Sequence, residues 1–295
     1  MGKKGKKAQA GKPKKLTLKD VGKRLDVLVK KLGEELEGSD LFAPLPPTED
    51  CAICLVPLSR MAANSVYKSC CGNTICVGCA RENEASIKKQ NEEKNAGKKV
   101  ALACPFCREL PPSSDDEYVR RLEARALKND HNALRNLGCH FEHGSDGFPK
   151  DYLKALDCWI KAVELGSPEA CTGIGGCYDE GDGVAANKEK AALFYRAGAL
   201  RGSIAARNSI GSSEYFEFGN HEIGIRHWKI AAEGGSQPAL DLLKDIYNAD
   251  GEIPGKESIS KEDMDSLYRV CHDAQEEVKS EEREKHCNDV YNLKC

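Results

Sequence analysis

The sequence predicts a mainly α protein in two unlike parts: a small zinc-bound unit, then an array of paired helices. Three observations carry this. Eight of the fifteen cysteines fall within residues 51–107, mostly as C-x-x-C pairs. Past residue 130 the chain repeats itself, with glycines and single aromatics returning in register. No apolar run approaches the ~20 residues needed to span a bilayer, so the 40% hydrophobic content is read as the cores of soluble domains. The 295 residues suit two or three such domains, at roughly 100–200 residues each.

Charge narrows the function classes. Lysine and arginine total 44 against 47 acids, a net charge of −3, so the chain is no general polyanion binder. Residues 1–15 carry seven lysines and no acid and read as a disordered basic arm. No apolar stretch follows those lysines, so they are no secretory signal. Lys6 stands where a myristoylation signal needs Ser or Thr. The expectation is a soluble protein of the cytoplasm and/or nucleus, with no membrane partner. The arm's lysines are not interleaved with aromatics, so base stacking has no support and a nucleic-acid partner is unlikely. Residues 16–40 place Leu18, Val21, Leu25, Leu28, Val29 and Leu32 at three- and four-residue spacings, the pattern of an amphipathic helix. Gly38-Ser39 ends it, and Pro44, Pro46 and Pro47 read as a stiff linker. Whether the helix docks on the chain itself or on a partner is open.

Residues 48–112 form the cysteine-rich unit. Its pairs are Cys51/Cys54, Cys70/Cys71, Cys76/Cys79 and Cys104/Cys107. In a reducing compartment, paired cysteines more often mean metal than disulfide. A C-x-x-C turn offers two corners of a zinc tetrahedron, so four pairs make two sites.

The runs CAIC, CCGNTICVGC and CPFCR resemble the RING finger, a zinc module of many ubiquitin ligases. The resemblance implies a treble-clef-like cross-brace in which ligand pairs interleave. Cys51, Cys54, Cys76 and Cys79 would hold one zinc, and Cys70, Cys71, Cys104 and Cys107 the other. Asn73 stands where a common RING has histidine. Either Cys70 and Cys71 both ligate, or Cys71 ligates alone and the fourth corner is defective; the extra cysteine favours the first. The family binds a ubiquitin-charged conjugating enzyme and holds its thioester in a reactive pose. The contact positions here are Ile53, Pro105, Phe106 and Arg108. The implied function is a RING-type E3 ubiquitin ligase; the alternative is a non-catalytic zinc-binding scaffold. Asn83 stands where many RINGs carry an aromatic, and the lysine-rich insert around residues 87–99 is unusual. Residues 111–116, Pro-Pro-Ser-Ser-Asp-Asp, read as a second linker.

In the helical region Ala133…Gly138 returns as Ala170…Gly175 and Ala206…Gly211, steps of 37 and 36 residues. Ala155…Trp159…Gly166-Ser167 returns as Ala191…Tyr195…Gly202-Ser203 and, three residues short, as Trp228…Gly235-Ser236. Each unit reads as two helices, small residues on the first facing one large aromatic on the second, with glycine as a left-handed C-cap. Stacked, such units make an α-solenoid over residues 131–250. The units are about 132–168, 169–203 and 204–238, with a partial one at 239–250. Trp159, Tyr195 and Trp228 are expected in the core, and the scattered cysteines as small core fillers. The pattern resembles Sel1 repeats, which implies that a solenoid face selects protein substrates. The third copy lacks the Gly-x-Gly loop of Gly181-Asp-Gly183. His140, His143, His221 and His227 hold no common repeat position, so no further metal site is expected. In residues 256–295, Ser260 and Asp263 form a capping box before a stripe of Met264, Leu267, Cys271, Ala274 and Val278, read as a closing helix.

Overall fold

Each expected repeat is built from a fixed junction and a fixed ring-on-glycine contact. In the computed structural model, which describes residues 16–60, 65–93, 103–144 and 149–276, the pairs are α4 (His131–His143) with α5 (Tyr152–Glu164), α6 (Pro168–Glu180) with α7 (Lys188–Leu200), and α8 (Ile204–Ser212) with α9 (His221–Glu233). The basic arm, residues 94–99 of the insert, Val278, Cys287 and Cys295 lie outside the described residues, as does the side chain of Ala274.

Trp159 and Trp228 are 1% and 0% exposed, and Tyr195 is buried with them. Each ring lies on a glycine of the first helix: a Cβ at Gly138, Gly175 or Gly211 would stand 2.1, 2.5 or 2.7 Å from it. Any larger residue there must push the helices apart. Both indole N–H groups donate to carbonyls at equivalent positions, Arg135 and Asn208, at 3.3 Å.

Between units, Gly166, Gly202 and Gly235 take φ of 93°, 96° and 93°, and the next residue, always serine, turns its N–H back to Ala162, Gly198 or Ala231. The serine hydroxyl then accepts from Ala170, Ala206 or Ala239 N–H, capping the next helix. One dipeptide thus ends one helix and starts the next.

The third copy handles its missing loop in a way the sequence does not show. After α8 the chain makes a π-helical turn, Ser213–Glu217, and α9 starts four residues later. The wider turn absorbs the lost residues and buries Glu214 and Tyr215. α10 (Gln237–Asn248) and α11 (Lys261–Glu276) close the array. The capping box forms: Ser260 N–H donates to Asp263 at 2.9 Å, and Asp263 N–H to Ser260 Oγ at 3.0 Å. Met264, Leu267 and Cys271 are buried behind it. Cys171 and Cys177 are buried in the repeats; burial pushes their thiols up to about 11 and about 12, so they are poor nucleophiles.

The N-terminal helix α1 (Leu18–Leu36) settles the question left by its sequence. It docks on the chain's own α5 and α7, with Val21, Leu25, Leu28 and Leu32 buried in the repeat core. Ion pairs flank the stripe: Arg24 with Asp157, Asp26 with Lys190 (3.3 Å) and Glu35 with Arg201 (2.8 Å). Residues 39–47, expected as a linker, lie against the third pair, with Phe42 on His227 and Leu45 on the second core. The second expected linker is also partly structured. Ser114 caps α3 (Asp115–Ala126), and Ser113 donates through N–H and hydroxyl to Glu117 at 2.8 and 2.7 Å. Ser-Ser followed by three acids is a helix start, which outweighs its loop-like composition.

The cysteine-rich unit is a small hairpin and a helix. β1 (Ser65–Tyr67) pairs antiparallel with β2 (Thr74–Cys76), with Val66 opposite Ile75, and α2 (Val77–Glu93) follows directly.

Candidate metal centre

Two near-identical turns supply the outer cysteines. In the first, Cys51 N–H donates to Val56 O (2.8 Å) and Leu55 N–H to Cys51 O (2.9 Å). In the second, Cys104 N–H donates to Glu109 O (2.7 Å) and Arg108 N–H to Cys104 O (3.0 Å). The residue after each pair, Leu55 or Arg108, has a φ of 58° or 63°. That left-handed step turns the chain away and leaves both side chains exposed.

The hairpin supplies the inner cysteines. Its tip, closed by Lys68 N–H to Asn73 O at 2.9 Å, carries Cys70 and Cys71. Gly72 suits the tip because its φ of 84° lies in the left-handed region that other residues rarely adopt, and a Cβ there would also displace the Arg125 guanidinium. Cys76 ends β2 and Cys79 lies in the first turn of α2.

These elements gather the thiols into two groups whose sulfurs all lie within 4.8 Å of one another: Cys51, Cys54, Cys76, Cys79, and Cys70, Cys71, Cys104, Cys107. The pairs interleave, first with third and second with fourth. The Cys51–Cys79, Cys54–Cys76 and Cys71–Cys104 separations are 3.8, 3.9 and 3.8 Å. A tetrahedron with Zn–S bonds of about 2.3 Å has edges of about 3.8 Å. The donor set and its spacing therefore fit a metal ion, and both groups could hold one. The first group is wholly buried; in the second Cys107 is exposed.

Crowding splits the thiols electrostatically. Hydrogen bonds from Cys76 and Cys79 hold Cys51 far below the ordinary thiol range, while burial pushes Cys54 up to about 12. In the second group burial raises Cys70 and Cys71. Four thiolates this close repel unless a cation neutralises them. Backbone N–H donors already face the sulfurs: Cys76 N–H to Cys51 Sγ at 3.3 Å and Cys79 N–H to Cys76 Sγ at 3.4 Å. Asn73 stays outside the second group; its amide donates to Cys71 Sγ at 3.4 Å.

Ile53 and Phe106 pack half-buried around the first group with Val56, Leu58, Val66 and Ala80. Pro105 is half-buried and Arg108 exposed. Asn83 lines a cavity of about 280 Å³ between α2 and α3, with Cys70, Leu110 and Tyr118. Sequence reasoning missed exposed Leu55 (71%) and Leu110. It also missed the clasp to the helices, in which Tyr67 OH donates to Asp130 at 2.7 Å. Arg207 was legible in principle: in the repeat alignment it replaces buried Leu134 and Cys171.

Comparison with known proteins places the helical part. The Sel1 repeat family matches residues 131–167, 168–203 and 211–236. The chain therefore carries Sel1 repeats, which are modules of protein–protein interaction. It is 35% identical over 69 residues to ERAD-associated E3 ubiquitin-protein ligase component HRD3A of Arabidopsis thaliana, 23% of this chain and 10% of the relative. It is 45% identical over 56 residues to cytochrome c oxidase assembly factor 7A of Xenopus laevis, 19% of this chain and 24% of the relative. The chain thus spans a quarter or less of the length of these curated relatives. Among solved structures, a Sel1 repeat protein from Oxalobacter formigenes aligns at TM-score 0.46 and 25% identity, over 55% of this chain and 65% of that one. Antigen c5321 of uropathogenic Escherichia coli aligns at 0.43 and 20%, over 61% and 42%. No helix of the described residues is long and apolar enough to cross a membrane.

Proposed function

We propose that the chain is a RING-type E3 ubiquitin ligase: two zinc ions organise the cysteine-rich unit, which binds a ubiquitin-charged conjugating enzyme, and the Sel1 repeats bring the protein substrate. The observation that carries this is the interleaving of the four cysteine pairs into two four-thiol groups. Zinc, once bound, fixes the loops and takes no part in a reaction step.

The work of this chain's residues is then positioning. Ile53 and Phe106, packed on one small core, and half-buried Pro105 form the apolar seat for the conjugating enzyme, with exposed Leu55 near Ile53 in sequence. Exposed Arg108 follows the second turn, and its planar fork suits hydrogen bonds to both conjugating enzyme and ubiquitin. The plant relative HRD3A is an E3 ubiquitin-protein ligase component, which is consistent with repeats serving that machinery. A scaffold without ligase activity is the second reading, favoured by polar Asn83 at the edge of α2's cavity.

Reconstitution tests it. Purified chain with activating enzyme, ATP, ubiquitin and a panel of conjugating enzymes builds ubiquitin chains on itself. Ile53→Ala weakens recruitment by about 1–3 kcal/mol. Arg108→Ala leaves recruitment intact and slows thioester discharge. Silence across the panel with two zinc ions bound establishes the scaffold instead.

A further inference from the structure

Past α1 the chain runs onto the third helix pair and covers a buried cation. Arg207 is 2% exposed. Its Nη1 donates to Leu41 O and its Nη2 to Ala199 O (3.0 Å), while Nε has no partner. Among the described residues no ion pair reaches it. The acid that acts on it, Asp40, is exposed and already accepts Phe42 N–H at 2.9 Å. Arg60 repels it and is itself held by another carbonyl, Pro46 O. Two guanidinium groups, Arg207 buried and Arg60 half-buried, thus grip one irregular segment, turned at Asp40–Ala43, by its neutral peptide oxygens.

The segment's side chains seat it on the repeats. The Phe42 ring lies 4.8 Å from His227 and 3.8 Å beneath the Arg226 guanidinium. Leu45 packs on the second core, and Pro46 closes on Gly202. Pro44 and Pro47 face solvent. A guanidinium out of water is poorly matched by carbonyls alone. A carboxylate would match its charge and its fork together.

We propose that residues 39–47 occupy, in cis, a peptide groove formed by the repeats together with Arg60 of the cysteine-rich unit, whose guest is an acidic–aromatic segment of a partner protein. Its carboxylate goes to Arg207 and Arg60, and its ring to His227 and Arg226. The proposal rests on reading the repeats as the partner-selecting module and names what they select. The chain's own segment is the weaker ligand, held by its high effective concentration.

The probes are two fluorescein-labelled peptides of residues 39–47, one native and one with Leu41→Asp. They are titrated into the full chain and into the full chain with Phe42→Ala and Leu45→Ala, which frees the groove. The expected result is at least tenfold tighter binding of the aspartate peptide to the freed chain than to the native chain. It also binds the freed chain at least tenfold more tightly than the native peptide does. Arg226→Ala, on an exposed residue, weakens it severalfold. Equal affinity for both chains, equal affinity of both peptides, or no binding overturns the proposal. A chain that builds ubiquitin on a substrate but binds neither peptide refutes the groove and leaves the proposed function standing.

Discussion

Substitution of Asp130 measures how firmly the cysteine-rich unit is clasped to the helices. Its Oδ1 accepts Asn132 and Ala133 N–H, both at 3.1 Å, and so caps α4. Its Oδ2 accepts Tyr67 OH at 2.7 Å and Arg125 at 2.9 and 2.8 Å. A hydrogen bond to a charged acceptor contributes about 1.5–3 kcal/mol, so Tyr67→Phe costs about 2 kcal/mol. The Arg125 side chain is 25% exposed, which holds that pair below about 1 kcal/mol. Asp130→Asn keeps a capping oxygen and loses the clasp, again about 2 kcal/mol. Asp130→Ala adds a lost cap, about 1 kcal/mol more. The assay is urea unfolding followed by far-UV circular dichroism, which reports mainly the helices although Tyr67 belongs to the hairpin. A Tyr67→Phe/Asp130→Asn cycle should show coupling of about 1–2 kcal/mol. Burial alone would raise the Asp130 carboxyl, but bonds from Tyr67 and Arg125 lower it. Its contribution is therefore complete above the ordinary carboxylate range and is lost as pH falls through the depressed value. Additivity within about 0.3 kcal/mol would refute the clasp.

Burial pushes His227 down to about 4, so the unfolded chain binds the extra proton between about pH 6.5 and 4. Stability falls as pH drops through that window, by up to about 3 kcal/mol, and His227→Gln should flatten the slope in unfolding titrations. Gly211→Ala drives a Cβ to 2.7 Å from Trp228 and should cost about 1–3 kcal/mol. Gly176→Ala, with nothing within 4 Å, should gain about 0.5–1 kcal/mol in the same melts. Cys70→Ser should halve the zinc content of the purified chain while Asn73→Ala leaves it unchanged; retention of both ions in the serine variant would remove Cys70 from the ligand set.

What the sequence makes legible is what recurs or is spaced. Glycine against a ring, and the Gly-Ser pair, return three times, so the helix pairs could be read. Cysteine spacing announced four pairs, but which pair joins which, Cys70 with Cys104 among them, came from the RING resemblance and not from the spacing itself. The stripe of α1 declared a buried face but not its mate, because apolar periodicity carries no address. Residues 39–47 read as linker because proline composition says nothing about tertiary contact. The π turn after Ser212 was hidden since a missing loop can be absorbed in several backbone geometries. Arg207 breaks the repeat at a core position, and such departures are where a repeat sequence signals something beyond packing.

The Gly-Ser junctions make repeats interchangeable in principle: a crossover between Gly202-Ser203 and Gly235-Ser236 would preserve every junction hydrogen bond. The N-terminal segment forbids that drift in copy number. It pairs with Asp157 on the first unit, with Lys190 and Arg201 on the second, and seats Phe42 on His227 of the third. An array one unit longer or shorter would leave one of those anchors out of reach. The segment acts as a ruler laid along the solenoid, and unequal recombination, the usual way such arrays grow, would be penalised here by the chain itself.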